Sequence, residues 1–350
     1  MNKQLLIVLG ISCLLLSSCR GKVQQSDSDF FVNPVITGHN NTCFVVQDSL
    51  FYFIYNEFGH LKIACSNDVT KLLSGKVKSV FNMAAIGLID LWHPQLTRID
   101  GVWYIYVTAD DGNTDNHRIH VLMNDSASPL DGEFKYVAKI QTDPDDNWAI
   151  HPYVFKYEGN LYMLWSGWEQ KREYKETQCI YIARMKTPYQ IDGDRHMISR
   201  PEQEWEIQYV QRGGYSYTRY PVLVNESPFF FCNDDTDKAY VYYTASANWT
   251  SYCCFGELSA DKDADFLDPA SWKKAPDPVF RQNRDKGIYG PSWPYIFFSP
   301  RCERYYLAYI TIGEETARLK KTVSLQPMSI KDGHPVFGEP VSRSEKILKP

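Results

Sequence analysis

Residues 148–169 read WAIHPYVFKYEGNLYMLWSGWE, and this stretch predicts a β-hairpin. Hydrophobic and polar side chains alternate on both sides of the polar turn Glu158-Gly159-Asn160, as in two short strands joined by a tight turn. His151 stands just before the first strand and close in sequence to Trp148. Because sugar faces stack on aromatic rings, a polar residue beside a tryptophan at the start of a strand is typical of a carbohydrate site.

The same hairpin pattern recurs along the chain, each time with an aromatic-rich second strand. The hairpins cover residues 44–55, 96–106, 148–169, 221–244 and 295–310. A loosely kept unit of about 50–60 residues with almost no helical periodicity predicts an all-β, five-bladed β-propeller. An all-β sandwich with a similar number of strands is the alternative. We expect one helical turn at 268–272, and extended segments at 32–36 and 319–328 that close the ring.

The composition describes a folded, aromatic-rich chain of 350 residues with 24 Tyr, 18 Phe and 9 Trp. A chain of this length buries a large core, and Pro and Gly are too evenly spread to mark a linker. We therefore expect a single propeller domain over residues 31–350. The formal net charge is −5 and no basic stripe is present, which argues against nucleic acid as a partner. We expect a monomer.

The N-terminus predicts export and lipidation. Residues 1–18 form a short basic start and an apolar run, and the following Leu16-Ser17-Ser18-Cys19 resembles the lipobox of bacterial lipoproteins. In this interpretation residues 1–18 are a signal peptide that is removed, Cys19 carries the lipid anchor, and residues 19–30 are a tether. The predicted location is the bacterial cell envelope, in the outer membrane or periplasm, with membrane contact through the lipid alone. A plain secretory signal cleaved nearby is the alternative.

Seven cysteines remain after Cys13 in the signal and Cys19 at the anchor, and none belongs to a CxxC motif. This pattern argues against a zinc site, and we expect no metal and no cofactor. An odd number of cysteines leaves at least one thiol free or paired outside the domain. Cys253 and Cys254 are adjacent in a predicted strand, where their side chains point to opposite faces and do not bond each other.

Several ordered motifs resemble glycoside hydrolase family 43, the five-bladed propellers that include arabinofuranosidases, arabinanases and xylosidases. The resemblance covers about residues 33–340, and its motifs are Trp92-His93-Pro94-Gln95-Leu96, Ile99-Asp100-Gly101-Val102-Trp103-Tyr104, residues 116–122, residues 148–169, Asn225-Glu226-Ser227-Pro228, residues 268–272 and Tyr289-Gly290-Pro291. The resemblance implies a propeller fold and the hydrolysis of O-glycosidic bonds with inversion. In that reaction one carboxylic acid protonates the leaving oxygen, and a carboxylate about 6.5–9.5 Å away activates water.

The resemblance implies that Glu226, in its Asn-Glu-Ser-Pro motif, is the general acid. Two of the three carboxylates usual in the family are replaced. Asn41 stands where the family has the base Asp, and His151 stands where an Asp that tunes the acid follows Trp-Ala-Ile. A neutral amide is a poor proton acceptor, and a base is typically worth about 10²–10⁴-fold in rate. A protonated His151 would lower the pKa of Glu226, whereas a neutral one could hydrogen-bond the acid.

Two further positions depart from the family pattern. Gln95 replaces the usual Glu of the second blade, and Ser292-Trp293-Pro294 stands where the family often has a histidine near the axis. A displaced carboxylate could replace the missing base, and the candidates are Asp90, Asp110, Asp111 and Glu169. Alternatively an amide takes part, as in a galactanase branch of the family that also lacks the base Asp.

Several of the candidate site residues also have a purely structural interpretation. Glu226 could be a buried structural carboxylate, His151 a core histidine, and Asn41 an ordinary turn residue. Trp103 and Trp165, inside predicted strands, are expected in the core. Four further tryptophans are candidate sugar platforms or packing residues between blades: Trp92, Trp148, Trp168 and Trp293.

Two functions remain open from the sequence. The first is an exo-acting glycosidase on arabinose- or xylose-containing plant polysaccharides or oligosaccharides, with Asn41 and its water or a displaced carboxylate as base. The second is a catalytically inactive carbohydrate-binding pseudoenzyme, a surface lipoprotein that holds glycan fragments. A propeller whose face binds protein is a third, structural reading.

Overall fold

A computed structural model describes residues 26–170, 177–208, 221–248, 250–312 and 321–350 of the chain. The predicted signal peptide and Cys19 lie outside these ranges. Two short strands come first, β1 (Phe30–Phe31) and β2 (Ile36–Thr37). Short 3-10 turns occur at Asp27–Asp29, Val69–Lys71, Met83–Ile86, Thr114–Asn116, Glu204–Glu206 and Pro269–Ser271. The last of these is the single turn predicted at 268–272, with Asp268 as its N-cap.

Five antiparallel four-stranded units, here called blades 1 to 5, contain most of the chain, and a short parallel pairing of Thr177–Gln178 with Leu223–Val224 joins blades 3 and 4 into one sheet. Blade 1 comprises β3 (Phe44–Gln47), β4 (Leu50–Glu57), β5 (His60–Ser66) and β6 (Lys76–Asn82). Blade 2 comprises β7 (Ile89–Ile99), β8 (Val102–Asp110), β9 (Arg118–Asn124) and β10 (Lys135–Ile140). Blade 3 comprises β11 (Ala149–Tyr157), β12 (Asn160–Trp168), β13 (Thr177–Thr187) and β14 (Gln190–Ser199).

Blade 4 follows the short strand β15 (Ile207–Gln208) and comprises β16 (Val222–Phe231), β17 (Lys238–Ala245), β18 (Cys254–Asp261) and β19 (Lys273–Lys274). Blade 5 comprises β20 (Tyr289–Ser299), β21 (Arg304–Ile312), β22 (Lys321–Lys331) and β23 (His334–Val336). The last strand, β24 (Ile347–Leu348), pairs with β1. The hairpin predicted at 148–169 is β11 and β12, joined by the turn after Tyr157.

The sheets form a closed ring. The first strand of each blade contacts the first strand of the next, in the order β3, β7, β11, β16, β20 and back to β3. The N-terminal strand β2 also pairs with β22 of blade 5, through Ile36 and Val323, which joins the two ends of the chain as the sequence predicts. The all-β, five-bladed propeller fold is thereby confirmed. None of the helices in the described part of the chain is long and apolar enough to cross a membrane.

The core is divided into five hydrophobic clusters, each between two neighbouring blades. Alternation along the strands produces this division, because successive side chains point to opposite faces of a sheet. Ile105 of β8, for example, packs towards blade 1, and the next residue, Tyr106, packs towards blade 3. Trp103 and Trp165 are fully buried in these clusters, as expected. The seven cysteines that the structure describes are all free thiols.

A repeated backbone feature turns side chains towards the ring axis. In blades 2 to 5 the first strand contains a residue followed by proline, and this residue has a positive φ: 43° at His93, 53° at His151, 52° at Ser227 and 58° at Trp293. The pairing register with the second strand shifts at each of these places, which marks a β-bulge. Non-glycine residues rarely adopt a positive φ, and such strain is concentrated at functional sites. We call these four positions the X-Pro bulges.

Candidate functional site

A cavity of about 330 Å³ opens at the X-Pro bulges, on the axis of the ring. This volume lies within the range of small-molecule sites. Its lining comprises Asn40, Asn56, Leu91, Trp92, His93, Thr114, Asp115, Trp148, Ile150, His151, Trp168, Gln178, Glu226, Asn248, Trp293 and Lys321. The structure therefore brings together Glu226, His151 and the four tryptophans predicted as sugar platforms.

Three tryptophans of blades 2 and 3 form one side of the cavity, which we call the tryptophan wall. The rings of Trp148 and Trp168 stack with centroids 4.5 Å apart, and the edge of Trp92 meets Trp148 at 6.4 Å. The indole N–H of Trp148 donates to the backbone oxygen of Thr114 at 2.9 Å, which fixes its ring. Flat aromatic surface of this kind suits the apolar face of a sugar.

Glu226 lies on the first strand of blade 4, next to an X-Pro bulge, and is only 2% exposed. Its Oε1 accepts a hydrogen bond from the side-chain amide of Asn248. Burial raises the pKa of Glu226 to about 7, although Lys321, the Asn248 amide and the Trp293 indole each lower it. A carboxyl group with this pKa carries a proton through much of the range in which enzymes act, as a general acid must.

Lys321, the first residue of β22, lies beside this acid. Its Nζ donates to Oδ1 of Asn248 at 3.0 Å and stands 4.6 Å from the centre of the Trp293 ring. Burial lowers the pKa of Lys321, and the nearby Glu226 opposes that effect. Lys321 and Asn248 were not predicted from the sequence, because they enter the cavity from β22 and from the turn after β17 rather than from the motifs.

His151 occupies the X-Pro bulge of blade 3 and is 3% exposed. Its Nδ1 lies 2.7 Å from the hydroxyl of Ser227 and 3.8 Å from Oε2 of Glu226. Burial, reinforced by the neighbouring His93 and Lys321, holds the pKa of His151 well below its usual value. His151 is therefore a neutral ring bonded to Ser227, and it does not act on Glu226 as a cation.

His93 occupies the corresponding bulge of blade 2, and the sequence analysis did not identify it as a site residue. Its ring centroid is 4.8 Å from that of His151 and 4.9 Å from that of Trp293. Both ring nitrogens are buried without a hydrogen-bond partner among the described residues, and burial lowers the pKa to about 3. The recurrence of a residue before proline in the first strands of blades 2 to 5 was the signal that could have identified it.

Asn41 lies beside the cavity rather than in its lining. Its amide donates to the backbone oxygens of Ile54 and Pro94 at 2.8 and 2.7 Å, and its Oδ1 accepts from the backbone N–H of Thr42 at 2.8 Å. Blade 1 has Thr42 in place of the proline, and Asn41 lacks the positive φ of the X-Pro bulges. The residue that lines the cavity here is the preceding one, Asn40.

Two carboxyl groups line the cavity in the described part of the chain, Glu226 and Asp115. The four carboxylates suggested as displaced bases, Asp90, Asp110, Asp111 and Glu169, are not among the lining residues. Asp115 sits in the 3-10 turn between β8 and β9, next to the tryptophan wall. A different carboxylate from those considered in the sequence analysis is therefore the one that the fold brings to the site.

His117 lies behind Trp92 and forms a possible metal cluster with Asp90 and Asp110, whose ligand atoms lie within 4.8 Å of one another. Its ring nitrogens are already 2.8 Å from the backbone oxygen of Thr114 and 3.0 Å from that of Asp90. Its ring also stacks on Trp92 at 3.7 Å. These contacts describe a residue that supports the tryptophan wall.

The model of the glycosyl hydrolases family 43 matches residues 31–335 of the chain. This chain belongs to that family. It is 28% identical over 274 residues to an extracellular exo-alpha-(1->5)-L-arabinofuranosidase of Streptomyces avermitilis, covering 76% of this chain and 53% of the relative. It is also 28% identical over 248 residues to alpha-L-arabinofuranosidase 43 of Humicola insolens, covering 70% of this chain and 48% of the relative. The chain thus spans about half the length of both.

Solved structures of the family share the fold. The crystal structure of an alpha-L-arabinofuranosidase from Lactobacillus brevis superposes with a TM-score of 0.78 at 25% identity, covering 90% of this chain and 98% of that one. A thermostable family-43 glycoside hydrolase superposes with a TM-score of 0.69 at 22% identity, covering 90% and 97%.

Proposed function

We propose that the chain is an exo-acting, inverting glycosidase that hydrolyses O-glycosidic bonds of arabinose- or xylose-containing plant polysaccharides or oligosaccharides. The observation that carries the proposal is Glu226, a buried carboxyl group with a pKa of about 7 that faces an aromatic cavity. Membership of family 43 and the arabinofuranosidases among the relatives support it. The activity of the whole protein is a proposal, since the relatives are about twice as long.

In the proposed reaction Glu226 donates its proton to the oxygen that leaves the anomeric carbon. A water molecule attacks that carbon from the opposite side, its oxygen forms the new bond, and the glycosidic bond breaks. The tryptophan wall holds the sugar ring by stacking. Asn248 and Lys321 orient the carboxyl group, and His151 with Ser227 packs against its other oxygen at 3.8 Å.

The base that takes the proton of water is the part of the site that differs from the family pattern. Asn41 has its amide bonded to backbone groups, so we assign this role instead to Asp115, the second carboxyl group in the described lining. A carboxylate is a far better proton acceptor than an amide.

A second candidate function is a carbohydrate-binding pseudoenzyme. The observation that favours it is the loss of two of the three usual carboxylates, at Asn41 and His151, while the tryptophan wall and the cavity remain. Such a protein would hold sugars without cutting them.

We propose that the chain is exported, with residues 1–18 removed and Cys19 lipidated, so that a monomeric propeller domain of residues 31–350 stands on the cell envelope. The names of two similar arabinofuranosidases, which describe them as extracellular, support export. Metabolic labelling with a lipid precursor tests the anchor, because labelling should disappear in a Cys19→Ala variant.

A screen of nitrophenyl arabinofuranosides and xylosides tests the proposed activity, with Glu226→Gln and Asp115→Asn as matched variants. Turnover of these substrates that falls at least about 10²-fold in Asp115→Asn, together with an equal fall in Glu226→Gln on a disaccharide of the same sugar, supports the glycosidase. Sugar binding without turnover in the unaltered protein supports the pseudoenzyme instead.

A further inference from the structure

The cavity contains a cation that bonds no reacting atom in the proposed reaction. Among the described lining residues, Lys321 is the only lysine or arginine. The described contacts of its Nζ are the Oδ1 atom of Asn248 at 3.0 Å and the centre of the Trp293 ring at 4.6 Å. An ammonium group has three N–H donors, so donors remain for a ligand. Among the described residues no carboxylate oxygen forms an ion pair with Lys321 within 4.0 Å, and Glu226 acts on its charge from a longer distance.

The polar groups around Lys321 are otherwise neutral. Asn248 is an amide, and burial keeps His93 and His151 in their uncharged forms. Burial also keeps Glu226 protonated up to a pKa of about 7, so its charge is small below neutral pH. A buried cation without a counter-ion is costly, and a bound anion removes much of that cost.

The charges of the cavity are separated across the ring. Asp115 stands next to the tryptophan wall, on blade 2, whereas Lys321 belongs to blade 5. In the order of first strands around the ring, blade 5 stands between blades 4 and 1, whereas blades 2 and 3 carry the wall. Asp115 and Lys321 therefore reach the cavity from different blades.

We infer that the cavity binds a sugar that carries a carboxylate, a uronic acid, and that Lys321 receives this carboxylate through a charge-assisted hydrogen bond. The inference rests on the carbohydrate-binding part of the proposed function and is independent of whether the bond is cut. A neutral pentose offers no group that would compensate the Lys321 charge, whereas a hexuronate places its carboxylate outside the ring, at an edge.

Calorimetric titration of the full chain with matched pairs of methyl glycosides tests this inference. The pairs are methyl glucuronide with methyl glucoside and methyl galacturonide with methyl galactoside, so that the members differ in the carboxylate alone. We expect one of the uronides to bind about ten-fold or more tighter than its neutral partner, and the difference to shrink at high salt.

Lys321→Met and Lys321→Arg are the informative variants. The methionine variant keeps the length of the side chain and should abolish the preference, so that each uronide binds no more tightly than its neutral partner; the arginine variant should retain the preference. Thermal melting of each variant checks that it is folded. A preference that survives in Lys321→Met, or neutral sugars that bind as tightly as their uronides, would overturn this inference and leave the proposed glycosidase standing. Absence of binding for all four glycosides and for methyl arabinofuranoside and xyloside would overturn both.

Discussion

Lys321 acts on Glu226 through the side-chain amide of Asn248. Nζ of Lys321 donates to Oδ1 of Asn248 at 3.0 Å, and the amide nitrogen of Asn248 donates to Oε1 of Glu226. The first bond determines the orientation of the amide, because only its oxygen can accept from an ammonium group. The NH₂ group is thereby directed at the acid, where the family usually relies on a neighbouring carboxylate to tune it.

Replacing Lys321 by methionine should therefore shift the pH dependence of the reaction. Glu226 acts when protonated, so activity is expected to fall as the pH rises through its pKa of about 7. Lys321 lowers that pKa, and its removal should move the alkaline limb of kcat/KM to higher pH. The measurement is a pH profile of kcat/KM on an arabinose- or xylose-terminated disaccharide, whose leaving group requires a proton, for both proteins. An unchanged limb, or one displaced to lower pH, would contradict this arrangement.

The two neighbouring asparagines of blade 1 should respond in opposite ways to aspartate. Asn41→Asp places a carboxylate oxygen against the carbonyl oxygens of Ile54 and Pro94 and should lower the free energy of unfolding by at least about 1–3 kcal/mol. Asn40→Asp places a carboxylate in the cavity, at an exposed position, and should leave stability unchanged while raising turnover.

Asn56→Asp is the matched control, because Asn56 also lines the cavity from blade 1. Urea unfolding and steady-state kinetics distinguish the three variants. A stable Asn41→Asp protein with increased turnover would show that Asn41, and not Asn40, faces the substrate.

Buried neutral histidines should make the protein sensitive to acid. The pKa of His93 is lowered to about 3 and that of His120 to about 4, in both cases mainly by burial. A histidine whose folded pKa lies below its unfolded value of about 6.5 contributes stability above that pH, and this stability is lost as the pH falls towards the folded pKa. His93→Gln should therefore lose less stability than the unaltered protein between about pH 6.5 and 4. Urea unfolding measures the loss of stability on acidification. Equal losses in both proteins would show that His93 does not contribute to the acid sensitivity.

Replacing a tryptophan of the cavity should mainly weaken sugar binding, whereas replacing a tryptophan of the core should mainly reduce stability. Trp92→Ala removes part of the tryptophan wall and should weaken sugar binding by about 0.5–1.5 kcal/mol with a small change in stability. Trp103→Ala should instead reduce stability by about 3–5 kcal/mol, because Trp103 is fully buried between blades 1 and 2. Calorimetric binding and thermal melting of both variants provide the test, and a binding loss confined to the Trp103 variant would contradict it.

The fold was accessible from the sequence because each blade repeats an alternating, aromatic-rich hairpin, and the five units leave few other arrangements. Glu226, His151 and the tryptophans were accessible because they lie in or beside the inner strands, where the motifs are. Lys321 and Asn248 were not, since they reach the cavity from elements outside those motifs, and only the closed ring brings them within 3.0 Å of each other.

The sequence also does not determine whether Asn40 or Asn41 faces the cavity. Adjacent residues of an extended chain point in opposite directions, so a shift of one position decides which side chain enters the cavity. Blades 2 to 5 have a proline and a positive φ at the bulge that settle this direction, and blade 1 has neither. The family pattern points to Asn41, and the cavity lining contains its neighbour Asn40.

The role of Glu226 as proton donor is tested most directly by the leaving-group dependence of the Glu226→Gln variant. A nitrophenol departs without a proton, whereas a sugar hydroxyl requires one. We predict that the variant loses about 10²–10⁴-fold in kcat/KM on an arabinose- or xylose-terminated disaccharide and far less on the nitrophenyl glycoside of the same sugar. Equal losses on the two substrates, or full activity of the variant on the disaccharide, would contradict the account.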